Sequence, residues 1–215
     1  MQMKKAMKQS KLIAILNGIS ILALILMIVL LVSNSNVNQK LNNDSEARFD
    51  LTYNANRFMN GSAYLTNEVR AYAATGDKSH YDNFQNEVNN LKNREAGVAA
   101  MQEIGITAEE QGMIDKMSSL SNDLVPLEEN AMKNVQEGNL KAALDYVYGD
   151  EYNTTILQVN ELKEEFLSAL ETRTLKQIQT LNTRSMIIRI FLFAALVLVI
   201  IIQMIIMSVT RRRIL

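Results

Sequence analysis

The residues from Gly76 to His80 are the first place where the sequence suggests chemistry. Gly76-Asp77-Lys78-Ser79 contains the glycine, lysine and hydroxyl of a phosphate-binding loop. The full pattern is Gly-x-x-x-x-Gly-Lys-[Ser/Thr] after a strand. Here Asp77 separates the glycine from the lysine, the upstream glycine is absent, and a helical pattern precedes the stretch. The stretch therefore does not predict nucleotide binding.

Other catalytic and metal-binding chemistry lacks the necessary residues. His80 is the only histidine, and the chain has no cysteine, which excludes disulfides, thiolate metal sites and a thiol nucleophile. A metal centre or a histidine triad would need partners that the sequence does not supply. The many carboxylates have the spacing of solvated helix faces. We therefore expect no enzyme, no catalytic or metal-binding residue and no cofactor.

Two apolar runs divide the chain. Each is about 20 residues long, enough at ~1.5 Å per residue to cross a ~30 Å hydrocarbon core. We place transmembrane helices at 12–33 and 186–209. A cleaved signal peptide is the alternative for the first run. That run is longer than the usual 7–15 apolar residues and lacks an Ala-x-Ala-like site, which favours an uncleaved anchor.

The distribution of charge predicts the orientation. Basic residues gather on the cytoplasmic side of membranes, so both termini should be cytoplasmic. This assigns 1–11 as a basic cytoplasmic N-terminus, 34–185 as extracytoplasmic, and 210–215 as the start of a cytoplasmic part. The outer segment has 14 basic and all 23 acidic residues, a net charge of −9. The basic residues that flank the spans are Lys4, Lys5, Lys8 and Lys11 before the first, and Arg211, Arg212 and Arg213 after the second.

Glycines and cap residues predict where the outer helices end and begin. We expect helices at 34–75, 78–104, 108–137 and 150–185, with a short helical turn at 140–148. Each break pairs a helix-stopping glycine with a start signal that follows it. The third helix begins with the capping-box pattern Thr107-Ala-Glu-Glu110. The pairs are Gly76 with Asp77, Gly105 with Thr107, Gly138 with Asn139, and Gly149 with Asp150.

Apolar positions within these helices recur with a period near 3.5 residues. The first helix steps by four and three from Val37 to Tyr72. This period predicts left-handed, nearly parallel packing of helices. The fold class we predict is all-α: an antiparallel up-down-up-down four-helix bundle between two transmembrane helices. The other stripes are Phe84, Val88, Leu91, Val98 and Met101; Met113, Met117, Leu120, Leu124, Leu127 and Ala131; and Ile156, Val159, Leu162, Phe166 and Leu170.

Two stretches resemble a known family. Leu65-Thr-Asn-Glu-Val-Arg-Ala-Tyr-Ala-Ala-Thr-Gly-Asp77 resembles the end of the first sensor helix in methyl-accepting chemotaxis proteins. Leu127-Glu-Glu-Asn-Ala-Met132, then Gly138, then Gly149-Asp-Glu-Tyr152, resembles their passage from the third helix to the fourth. The likeness covers most of the chain, including both spans.

The resemblance implies a homodimer that senses a small molecule or a ligand-loaded binding protein outside the cell. The long stripe of the first helix also favours a dimer. In that family a HAMP relay and a coiled coil follow, through which a cytoplasmic kinase and an adaptor are reached. This chain stops at Leu215, where the relay would begin. We expect a fragment of such a receptor rather than a natural receptor-like stub.

Antiparallel packing brings the end of the first outer helix beside the start of the fourth. Arg70 and Tyr64 should then approach the level of Thr154, Thr155 and Gln158. Receptors of the resembled family bind small anions near this level, between first helices, and Arg57 and Arg70 could supply bidentate contacts to a carboxylate. The alternative is that Arg70 pairs with a surface acid such as Glu68 or Glu151.

Two side-chain amides lie within the spans. Asn17 and Gln203 are each roughly 7–9 Å inside the cytoplasmic boundary at ~1.5 Å per residue. Polar side chains at that depth usually hydrogen-bond across a helix interface. We therefore expect both on the surface where transmembrane helices contact each other.

The function predicted is a chemoreceptor sensor region that passes a small helix displacement across the membrane. The lipid bilayer is a partner and no nucleic acid is expected. One alternative is the sensor region of a membrane histidine kinase, and another is a structural membrane bundle that senses nothing.

Overall fold

The computed structural model describes the backbone of residues 2–214 and the side chains of residues 7–211. Within that range the protein is all-helical and has no strand, which confirms the predicted class. The side chains of Lys4, Lys5, Arg212 and Arg213, and all of Leu215, lie outside the described residues. The helices are α1 (Gln2–Thr75), α2 (Lys78–Asn86), α3 (Asn93–Ile104), α4 (Ala108–Gln136), α5 (Leu140–Tyr148) and α6 (Asp150–Ile214), with a π-helical turn at Glu87–Leu91.

The predicted stop and start signals act at the residues expected. Gly76, Gly105 and Gly138 have φ values of 69°, 115° and 78°, which non-glycine residues rarely adopt. Thr107 and Glu110 form the reciprocal capping box. Gly149 ends α5 in a different way. Its backbone is extended, and a Cβ there would lie 2.5 Å from the carbonyl oxygen of Asp145. The cap side chains of Asp77 and Asn139 accept hydrogen bonds from the backbone amides of Ser79 and Ala142.

The second predicted helix, 78–104, is wrong as a single helix. It is interrupted by the π-helical turn and by Lys92, whose φ of 47° is left-handed. A π turn rotates the apolar stripe relative to a regular helix. Val88 and Leu91, which were expected in the stripe, are therefore exposed. The Glu87 carboxylate accepts hydrogen bonds from the backbone and side-chain nitrogens of Asn93, both at 2.9 Å, and so holds the start of α3.

Residues 45–175 form one compact unit. Two apolar clusters fill its interior, and α1 and α4 contribute to both. On α1, Phe58 belongs to one cluster and Leu65 to the other. The position of the apolar stripe between them is occupied by Ser62, which is only partly buried. The first cluster is centred on Val69, Tyr72, Ala131, Ala143 and Tyr152, and the second on Ala55, Phe58, Met101, Met117 and Phe166.

Helix α3 approaches α1 closely at Gly97. A Cβ at Gly97 would lie 2.7 Å from the carbonyl oxygen of Asn54 and 2.9 Å from the backbone nitrogen of Phe58. Both distances are shorter than real Cβ contacts, so only glycine fits without movement of a backbone. The sequence reading had assigned this glycine no role.

The other unit contains the residues of α1 up to Asp44 and those of α6 from Lys176. α1 and α6 each hold an 18-residue window, with mean hydropathy 2.9 and 3.1, long and apolar enough to cross a membrane. Only 11% of each window is buried. Apolar surface on that scale is unusual for a helix surrounded by water.

Candidate functional site

Arg70 is held by backbone, amide and aromatic groups. Its Nε donates to the carbonyl oxygen of Val147 at 2.9 Å, and its Nη2 donates to Oδ1 of Asn153 at 2.7 Å. The guanidinium carbon lies 4.9 Å and 5.1 Å from the ring centres of Tyr148 and Tyr152, a cation–π arrangement. Arg70 therefore joins α1 to the end of α5 and the start of α6.

The alternative to a ligand contact, a pairing of Arg70 with Glu68, Glu151 or another surface acid, is not formed among the described side chains. Within the described side chains Arg70 makes no ion pair, and Glu68 instead lies 2.7 Å from Nδ1 of His80. The contact with Asn153 places Arg70 beside the first turn of α6, near the level anticipated. Among the described residues, none of the three α6 candidates hydrogen-bonds to Arg70. Thr154 and Gln158 are exposed, and the Thr155 hydroxyl donates to the carbonyl of Glu151 at 3.0 Å.

A groove between α1, α4 and α6, which we call the basic groove, has Arg70 among its walls. Its volume is about 230 Å³. Among its described wall residues, Lys163 of α6 is the other charged one and none is a carboxylate. Asn67 and Asn160 also line it, and Phe58 is one of its apolar wall residues. Sequence reasoning missed Lys163, because a lone lysine on a long helix carries no signal by itself.

Arg57 and Tyr64 lie in a different groove, between α1, the π-helical turn and α3. This α1–α3 groove is open, with a volume of about 630 Å³. The Nε of Arg57 donates to Oδ1 of Asn93 at 2.9 Å, and Asn93 in turn donates to the buried Glu87. Burial and then the nearby Glu68 and Glu87 carboxylates raise the pKa of Tyr64. The predicted arginines are thus separated between two grooves.

A third space, the inner cavity, is lined by residues of α1, α2, α3, α4 and α6 and has a volume of about 190 Å³. It shares Ser62, Thr66, Ser121 and Ile156 with the basic groove. The Nε of Arg94, one of its wall residues, is buried and has no hydrogen-bond partner. The polar wall residues of the two spaces together form a polar layer in the interior of residues 45–175, beside the two apolar clusters.

Glu128 is the buried carboxyl of this layer. It accepts a hydrogen bond from the Tyr152 hydroxyl at 2.7 Å. Burial raises the pKa of Glu128, although the Tyr152 hydrogen bond and the Arg94 charge act in the opposite direction. Burial and the Glu128 charge likewise raise the pKa of Tyr152. The sequence placed Glu128 only in a family-like string and gave no signal of its burial.

A second buried carboxylate joins the start of α4 to α6. Glu110 receives two hydrogen bonds from Arg173, with Nε–Oε1 at 2.7 Å and Nη2–Oε2 at 3.0 Å. Burial alone would raise the pKa of Glu110, but the hydrogen bonds from Arg173 and Thr107 together lower it. This capping residue therefore also forms a bidentate ion pair between helices, which its spacing in the sequence does not reveal.

In the unit that contains the two apolar windows, polar side chains join α1 and α6 at two levels. Gln203 donates to the hydroxyl of Ser20 at 3.1 Å, and Ser20 is buried. Ser185 donates to the side-chain oxygens of Asn34 and Asn38, at 3.1 and 3.0 Å. Asn17, which was expected at the same kind of contact as Gln203, is exposed.

Among residues 7–211, no three or more His, Asp or Glu side chains are grouped so that they could hold a metal ion. Comparisons with protein-family models, curated proteins and solved structures found no match to this chain.

Proposed function

We propose that this chain is the sensor region of a transmembrane chemoreceptor. In this proposal residues 34–185 form an extracytoplasmic four-helix bundle of up-down-up-down topology, and α1 and α6 pass through the membrane. The observation that carries the proposal is that α1 and α6 each contain both an apolar window and residues of the compact unit 45–175. A change in that unit can then act on the same two helices that enter the bilayer.

The polar layer supports sensing over scaffolding. Polar groups in the interior of a bundle lower its stability unless they find hydrogen-bond partners. A purely structural bundle would be expected to fill these positions with apolar side chains. A ligand that satisfies them more completely in one helix arrangement than in another would shift the equilibrium between the two. Displacements of about 1–2 Å are typical of packed helices in switching proteins.

We propose that the chain forms a homodimer. The contact surface would not be the apolar stripe of α1, which first suggested a dimer, but another face of that helix. The seam of α1 that contains Leu51, Ala55 and Phe58 is buried within the chain itself. Phe49 and Tyr53 lie on another face of α1, where they are 70% and 61% exposed. Exposed aromatic side chains along one helix are typical of protein interfaces.

Disulfide locking tests the proposed transmission without a ligand. Ser185 lies between Asn34 and Asn38, which are four residues, or ~6 Å, apart along α1. Cysteine pairs Asn34→Cys with Ser185→Cys, and Asn38→Cys with Ser185→Cys, should pull α6 in opposite directions along α1. The chain would be fused to the signalling part of a characterised chemoreceptor, and kinase activity measured in membranes before and after oxidation.

We expect the two locked pairs to shift kinase activity in opposite directions, and the three single-cysteine variants to leave it unchanged. The chain has no native cysteine, so only the introduced cysteines can form a disulfide within one chain. Two oxidised pairs with the activity of the reduced protein would favour a structural bundle.

A further inference from the structure

We propose that the basic groove binds a small organic anion with carboxylate groups and no ammonium group. This inference rests on the proposed sensor function and names its ligand class. The unit that contains the groove has an excess of acidic residues, yet both charged residues in its walls, Arg70 and Lys163, are basic. An ammonium group bound there would meet no carboxylate in the walls.

Arg70 is prepared to bind an anion. Val147, Asn153 and two tyrosine rings fix its guanidinium, but none of these partners neutralises its charge. A guanidinium fixed in this way loses little conformational entropy when it binds, and it still has N–H groups that are not used in these two bonds. A carboxylate is the group that a guanidinium binds best.

The opposite part of the groove supplies a second cation and neutral donors. Among the described side chains, Lys163 makes no ion pair, and the amides of Asn67 and Asn160 have no hydrogen-bond partner. Lys163 lies ten residues beyond Asn153, the α6 partner of Arg70, which is ~15 Å along a helix. Side chains on a helix lean towards its N-terminal end, so the Lys163 ammonium lies closer to Arg70 than this axial distance. Two cations at opposite ends of a groove favour a dicarboxylate.

The size of the groove limits the ligand. A volume of about 230 Å³ is on the order of eight water volumes. A four- to six-carbon acid would fill this space. Phe58, Met59 and Val159 among the wall residues provide apolar contact for a short carbon chain.

Calorimetric titration of the full chain in nanodiscs of neutral lipid tests this inference. The probes are succinate, aspartate, which adds an ammonium group to the same skeleton, and butyrate, which lacks the second carboxylate. We expect succinate to bind at least tenfold more tightly than either of the other two. Equal affinity for succinate and aspartate, or no heat with succinate at millimolar concentration, would overturn the inference.

Variants identify the groove as the place of binding. Lys163→Ala should weaken the binding of succinate at least tenfold and leave the affinity for butyrate unchanged, because only the second carboxylate loses its partner. Lys116→Ala, at an exposed lysine of α4 outside the groove, is the matched control and should bind succinate normally. If Lys163→Ala binds succinate as tightly as wild type, the groove is not the site. Asn160→Ala, which removes only a neutral donor, should give a smaller loss.

The two proposals fail in different ways. Succinate binding without any effect of the disulfide locks would leave the anion site in place and contradict signalling. Opposite effects of the locks without succinate binding would leave a sensor and contradict the anion site.

Discussion

At the scale of single residues, the polar side chains of this chain hold the helices together, and in our proposal one of them also binds the ligand. Arg70 fixes the end of α5 and the start of α6 and makes no ion pair with any described side chain. Glu128 is buried against Tyr152, and Glu110 both caps α4 and binds Arg173. Of these residues, Arg70 and Glu110 could be singled out from sequence, because one lay in a recognisable string and the other in a capping pattern. Their partners could not, because Val147, Asn153 and Arg173 are distant in sequence.

Glu128 should make the unit less stable as pH rises. Its folded pKa is raised by burial above the unfolded value, so the carboxyl is protonated more readily in the folded protein. The penalty is absent below the unfolded pKa and grows as pH rises through the folded pKa. Glu128→Gln keeps an acceptor for the Tyr152 hydroxyl and removes the penalty. We expect it to raise the free energy of unfolding by about 1 kcal/mol at pH 8, or Tm by roughly 2–4 °C, and to have little effect at pH 4.

The measurement is thermal unfolding of the full chain in nanodiscs from pH 4 to pH 8, reported as the difference between variant and wild type. Taking this difference removes the opposite slope expected from Glu110, whose pKa is lowered. Glu129→Gln, at the exposed neighbouring residue, should show no such pH dependence. A Glu128→Gln difference that is constant with pH would contradict the argument.

At the scale of elements, the helix ends were predictable and the interruption of the second helix was not. Caps and glycines act within a few residues, so Asp77, Thr107 and Asn139 could be read directly from the sequence. The π-helical turn depends on Glu87 reaching Asn93 and on the approach of α3 to α1, which are tertiary features. Position 95 of the apolar stripe carries a glutamate, and a single exception of this kind in a heptad pattern does not predict an interruption.

Gly97 should be the glycine least tolerant of alanine in the helices of this unit. A methyl group there meets the backbone of α1 at Asn54 and Phe58, so α3 must move away. We expect Gly97→Ala to lower the free energy of unfolding by about 1–3 kcal/mol. Gly112→Ala in α4 is the matched control, because nothing lies within 4 Å of its added Cβ. That change should stabilise by roughly 0.5–1 kcal/mol through helix propensity. Equal Tm values for the two variants would contradict the close approach of α3 to α1.

At the scale of the whole molecule, the apolar windows were predictable because transfer to lipid depends on length and composition, which the sequence states directly. The division of the candidate ligand residues between two grooves could not be predicted from the sequence. Arg57 and Arg70 are thirteen residues apart on one helix, and whether they share a site depends on which helices cover each face. Only the packed structure places Lys163 with Arg70 and Asn93 with Arg57.

The predicted orientation can be measured because the chain has no cysteine, so an introduced one is the only reactive thiol. Leu157→Cys lies on α6 at a side chain that is 63% exposed. A maleimide that cannot cross membranes should label it in intact cells. Lys8→Cys and Thr210→Cys, both at exposed positions, should be labelled only after permeabilisation. Labelling of the terminal cysteines in intact cells would reverse the orientation that the basic flanks predict. Loss of the Lys8→Cys label together with a shorter chain would instead mean that the first span is a cleaved signal peptide. In that case only α6 would remain to transmit the proposed helix displacement across the membrane.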